Sequence, residues 1–203
     1  MANTNSPRGL IPVSNASGAP YNGAVIQMVH ASGDSQAIYV GDIVTMTGTS
    51  VQINIGGSLM SFPLAAQFVS GGVEDGVCIG VDYVTRDLPP YAPASTQVVI
   101  SVAVDPNMLC LVQDVSTGTP LTSNDIGLNC DILVNQGSTV TGYSAMVLNN
   151  GSEATTNTLD VKLIGQLQSP GNDLGDSVSS GAASGQWLVK LNRTRLSNQV
   201  AGV

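Results

Sequence analysis

Lysine and glutamate are nearly missing from this 203-residue chain, with two of each. Their straight side chains normally coat exposed helix faces, where they lose little freedom, so their scarcity argues against a helical fold. Unbroken stretches are short as well. The longest one free of Gly and Pro runs from Gln186 to Ala201, 16 residues. No apolar run reaches the roughly 18 residues that a membrane span needs. The N-terminus, Met1 to Arg8, has no basic start followed by an apolar core, so no signal peptide is expected. Bases are few: 6 Lys and Arg stand against 14 Asp and Glu, a net charge of −8. That balance excludes nucleic acid as the expected partner, because such binding rests on basic groups neutralising phosphates. His30 is the sole histidine, leaving a Ser-His-Asp or Cys-His system one available base. Eight aromatics are thin for a sugar-stacking lectin. Cys78, Cys110 and Cys130 are odd in number, follow neither a disulfide nor a zinc spacing, and sit in apolar stretches, which reads as buried free thiols.

What is abundant favours pleated surfaces: 25 Val, 11 Ile and 15 Thr, under a polar coat of Ser, Thr, Asn and Gly. Strand signals follow one another at Ala24–Val29, Ala37–Met46, Val73–Val84, Ile132–Val134, Thr139–Leu148 and Thr158–Leu167. Val51 to Ile55 alternates apolar with polar, then Gly56-Gly57 precedes Ser58–Phe62, the signature of a hairpin with a primed turn. Val98–Val104 and Met108–Val115 flank Asp105-Pro106-Asn107, a second hairpin. Trp187, Val189 and Leu191 alternate with Lys190 and Asn192. Many short strands at close spacing predict an all-β fold, an antiparallel β-sandwich or barrel of jelly-roll-like type with an extended N-terminal arm.

The chain divides into four parts. Residues 1–23 form the arm, where Pro7, Pro12 and Pro20 exclude a regular helix or central strand. Leu10, Ile11, Val13 and Tyr21 give that arm apolar surface to bury against its own body or a neighbour. Residues 24–168 form the sandwich or barrel core, 169–185 a Gly- and Ser-rich loop, and 186–203 a terminal strand and basic tail. Leu88 to Pro93 reads as a stiff connector that crosses between sheets or reaches outward. Charge is divided along the chain. Residues 9–161 hold twelve acids and one base, whereas Lys190, Arg193 and Arg195 follow Gln186 with no acid among them. Such a tail is either solvated or docked on an acidic neighbour.

No catalytic residue, cofactor or metal is implied. Glu74-Asp75 would face opposite ways on a strand and is flanked by Gly, which reads as a turn carboxylate pair. The Asn124, Asp125, Asn129, Asp131 group and the Asn172, Asp173, Asp176 group lack the spaced calcium loop with its bidentate Glu, and read as side chains bonding turns.

Several segments carry a resemblance. Ser6-Pro7-Arg8-Gly9-Leu10-Ile11-Pro12-Val13 leads to Pro20-Tyr21-Asn22-Gly23, followed by Val40-Gly41-Asp42-Ile43-Val44 and Asp125-Ile126-Gly127-Leu128-Asn129. Ala154-Thr155-Thr156-Asn157-Thr158-Leu159, Val161 to Gly165, and Asn172-Asp173-Leu174-Gly175 complete the set. In this order they resemble a family of tailed-bacteriophage capsid cement (decoration) proteins. The resemblance implies a non-enzymatic virion protein, made in the host cytoplasm and bound to the capsid exterior. Its implied partners are the major capsid protein and further copies of itself, as a homotrimer or dimer, with no nucleic acid and no membrane. The resemblance supplies no residue-level contacts; from their own chemistry the apolar arm residues Leu10, Ile11, Val13 and Tyr21 and the basic tail residues Lys190, Arg193 and Arg195 are the expected capsid or subunit contacts. The other function weighed is a head or tail fibre β-module that binds a host surface glycan.

Overall fold

The computed structural model describes residues 3–82, 89–175 and 181–197, and these are all-β apart from a 3-10 turn at Ser123–Asp125. Their strands are β1 (Ile11–Asn15), β2 (Val25–His30), β3 (Ile43–Ile55), β4 (Ser58–Gln67), β5 (Gly76–Val81) and β6 (Val99–Ala103). Then come β7 (Met108–Gln113), β8 (Asn129–Cys130), β9 (Ile132–Leu133), β10 (Val147–Leu148), β11 (Val161–Gln166) and β12 (Gln186–Leu191).

Two units hold ten of these strands, and β9 and β10 pair antiparallel as a separate two-stranded sheet. β2, β4, β3, β5 and β6 close into a barrel in that order. Met28, Val44, Ala65, Cys78, Ile100 and Val102, all fully buried, fill its interior, as the side chains of small barrels do. Its closure is a short parallel pairing, Val29 with Leu64 and His30 with Ala65, while the other strand pairs are antiparallel. The second unit is a five-stranded antiparallel sheet ordered β1-β7-β12-β11-β8. Here the alternation at the end of the chain takes its expected form, with Trp187, Val189 and Leu191 buried and Lys190 half-buried. One apolar cluster joins the units, bringing Ile43, Phe68 and Val77 of the barrel side together with Leu10, Leu163 and Trp187 of the sheet side.

The β3–β4 hairpin turns at Gly56 and Gly57, with φ +60° and +89°, the left-handed pair that a primed turn demands. Three expectations differ from the structure. Strand β3 starts at Ile43, not Ala37, because Tyr39 to Asp42 is a tight turn in which the Asp42 carboxylate accepts the Tyr39 N–H at 2.9 Å. Of Thr139–Leu148 only Val147–Leu148 is strand. Before it, Gly142 turns at φ +75° with Pro90 packed where a side chain would sit. The proline-rich connector stays with the barrel, since β5 and β6 on either side of it are barrel neighbours. Its Ala92 pairs with Ile38, and Tyr91 stacks on Tyr39 at 4.9 Å between ring centroids. Leu88 lies outside the described residues, as do residues 176–180 of the Gly- and Ser-rich loop and 198–203 of the tail.

Candidate interaction surface

The N-terminal segment lies along its own body. β1 pairs with β7, and its outer side is covered in turn by residues 19–21: Asn15 donates to the Ala19 carbonyl at 2.8 Å and Tyr21 to Val13 at 3.2 Å. Of the four apolar residues assigned to partner contact, Leu10 is 1% exposed and belongs to the chain's own core. Its side chain therefore faces inward. Val13 and Tyr21 are half-buried, and the Tyr21 hydroxyl donates to the Ala24 carbonyl at 2.9 Å. Ile11, 42% exposed, is the one that faces outward. It borders an open cleft of about 410 Å³ floored by Leu10, Cys78 and Ile79 and rimmed by Arg8, Tyr21 and Tyr143. The Arg8 guanidinium sits 5.4 Å from the Tyr143 ring centroid, within cation–π range.

Two glycines explain why this segment is held so closely. Gly9 and Gly41 both take positive φ, +67° and +98°. A Cβ on Gly9 would fall 2.3 Å from the Gly41 carbonyl oxygen, and one on Gly41 would fall 2.2 Å from that of Arg8. The two backbones touch, and the Leu10 N–H donates to the Gly41 carbonyl at 2.8 Å.

The basic tail also turns inward. β12 ends beside the start of β5, so residues 193–195 meet Glu74 and Asp75 of the same chain. Arg193 and Glu74 bond reciprocally: the Arg193 N–H donates to Glu74 Oε2 at 2.6 Å and the Glu74 N–H to the Arg193 carbonyl at 3.1 Å. The Arg193 guanidinium donates to the carbonyls of Gly71 and Thr158. Arg195 forms an ion pair with Asp75, whose side chain is fully buried, and also reaches the Met46 carbonyl. Lys190 donates to Asn107 Oδ1 at 3.0 Å. The acidic surface that Arg193 and Arg195 find is thus this chain's own. Glu74 and Asp75, expected as a turn carboxylate pair, are both fully buried.

They are not alone. Asp42, Asp114 and Asp160 are also fully buried. Burial pushes Asp42 up to about 6, Asp114 to about 7 and Glu74 to about 8. Asp160 accepts from the Ser70 hydroxyl and from the Gly71 and Ile132 N–H groups, each at 2.8 Å, and so ties the barrel to the sheet side. His30 is fully buried, with Nε2 3.3 Å from Asp34 Oδ2; among the described residues no hydroxyl or thiol bonds to it. The three cysteines are free and buried, and burial pushes the Cys78 thiol up to about 12, far from a reactive thiolate. Among the described residues no group of three His, Cys, Asp or Glu could hold a metal ion. None of their helices is long and apolar enough to cross a membrane.

One surface was not singled out from the sequence. Beyond the barrel, β3 and β4 continue as a two-stranded ribbon that exposes Ile55, Leu59 and Met60 by 44%, 69% and 47%. Its signal was present in the composition, since no charged residue occurs from Ile43 to Val73. Comparison with known proteins adds no relative: no family model, curated protein or solved structure matches the chain.

Proposed function

We propose that this protein is a non-enzymatic virion component, a capsid cement protein that binds the outside of an assembled tailed-phage head and stabilises it by bridging capsomers. The observation that carries the reading is where the phage-like segments lie. Although scattered over most of the chain, all but the Asn172 segment join one another. Arg8-Gly9-Leu10 interlocks with Gly41. Asn129 and Ala154 exchange both backbone hydrogen bonds, at 2.8 and 2.9 Å, and Asn129 Nδ2 donates to the Thr156 carbonyl at 2.8 Å. Gly127 donates to the Leu163 carbonyl and Leu163 to that of Leu128. Asn172 bridges the ends of β11 and β12 through the Leu167 carbonyl and both backbone groups of Gln186. Each resembling segment is thus a fastening of the fold, the kind of residue that a shared architecture requires.

The mechanism needs no chemistry. Packaged DNA presses capsomers apart, and a rigid body that binds only the expanded, assembled lattice stabilises it by mass action, by RT ln(1 + [L]/Kd) per site. Closed symmetry around a local threefold or twofold position would let each unit span neighbouring capsomers. The test is addition of the purified protein to expanded heads assembled without it. Saturable binding in hundreds of copies per particle, with a raised temperature of DNA release, is the expected result. Heads left bare at saturating protein would overturn the reading, and attachment to host cells instead would favour a fibre tip.

A further inference from the structure

The β3–β4 ribbon has two unpaired edges. β5 pairs with β3 only at Ile43 and Val44, and β2 with β4 only at Leu64 and Ala65. From the Ser50–Pro63 pair to the Ile55–Ser58 pair the two strands bond to each other. Among the described residues, no backbone hydrogen bond from elsewhere reaches that stretch. One face of the ribbon carries Val51 opposite Phe62 and Ile53 opposite Met60. Its root packs on Val29 and Val99, and its tip leaves Ile55 and Met60 exposed. The other face sets Leu59 opposite Asn54, and Leu59 is 69% exposed.

Natural sheets protect free edges with lysine, other charges, proline or bulges, because an unprotected edge pairs with another chain. Here the bulge between Met46 and Ser50 and the lone Pro63 stand at the ribbon's root, and nothing charged lies beyond them. Charge also selects the partner. Two copies of a chain with net charge −8 repel over most of their surfaces, and this 31-residue charge-free stretch, Ile43 to Val73, is where they can meet without that cost. We infer that the ribbon is a self-association surface, on which the free edge of one copy pairs with the free edge of a second copy, and Ile55 and Met60 on one face and Leu59 on the other gain cross-strand neighbours from that copy. This concerns the free protein and stands apart from the capsid reading.

Sedimentation equilibrium of the full chain tests it. The parent should form a closed oligomer at micromolar concentration. Ile55→Glu combined with Leu59→Glu should weaken association at least about tenfold, roughly 1.4 kcal/mol. Val140→Glu, an exposed apolar residue off the ribbon, should leave the parent's mass unchanged. A monomeric parent, a ribbon variant with the parent's mass, or equal loss in the Val140 variant would each overturn the inference. Should the double variant misfold, hydrogen exchange on the parent serves instead: amides of residues 50–62 should gain protection between dilute and concentrated protein, and no gain there overturns it. Heads that bind a monomeric parent would defeat this inference alone, and an oligomer that ignores heads would defeat the capsid reading alone.

Discussion

Glu74 shows how burial converts a carboxyl into a pH-dependent load on the fold. Its folded value is about 8 against an ordinary 4.5, chiefly through desolvation. Between those limits the unfolded chain has released a proton that the folded chain keeps, so stability falls as pH rises from about 4.5 to about 8 and then levels off. Asp42 and Asp114 act in the same direction over lower windows. Replacing Glu74 by Gln should therefore leave stability near pH 5 little changed and raise it by about 1–3 kcal/mol near pH 8.5, as read by urea unfolding at both values. Equal effects at the two pH values would refute the burial argument. Arg195 is the complementary case. With Asp75 fully buried beneath it, Arg195→Gln leaves that carboxylate without its counter-charge and with only the Met46 N–H as donor among the described residues, and a loss of about 3–5 kcal/mol is expected. Because the contact is inside the fold, 1 M salt should restore little of that loss. Neither role was readable in sequence: Asp75 and Arg195 are 120 positions apart, so the flanking glycines point only to a turn and the local run of bases only to a tail that is solvated or docked on an acidic neighbour.

Strands were readable where two independent signals coincided. In β3–β4, alternation agrees with the Gly56-Gly57 turn, and in β12, alternation agrees with a Trp at one end. They were not readable where apolar content serves a buried coil. Ile38 and Tyr39 are fully buried and Val40 half-buried, yet only Ile38 and Val40 pair, each in an isolated bridge, because composition reports burial and the Gly41 turn breaks the ladder. For β12 the consequence is testable. Trp187 is 1% exposed in the cluster that joins sheet to barrel, so Trp187→Ala should cost about 3–5 kcal/mol in chemical unfolding. Parent Trp fluorescence should be blue-shifted. A red-shifted parent spectrum with an unchanged unfolding midpoint in the variant would show that Trp187 is not packed as described.

The chain is stitched together by distant pairings. β1 pairs with β7 and β7 with β12, so the sheet is made of strands that begin about a hundred or about eighty residues apart. Loop-closure entropy must be met before such contacts form, which makes folding slow. The placement of β12 sharpens this. It is the latest strand of its sheet in sequence and lies in the middle of it, between β7 and β11. Until residue 191 has left the ribosome, the edges of β7 and β11 that β12 joins have no partner, and Cys110, Val112 and Leu163 lack their β12 neighbours. At roughly 5–20 residues per second, the β7 edge stays open on the order of 4–16 s and the β11 edge on the order of 1–5 s. Translation therefore sets a clock on this fold, and a chain stopped short of Gln186 carries two open edges that make it a target for chaperones and proteases.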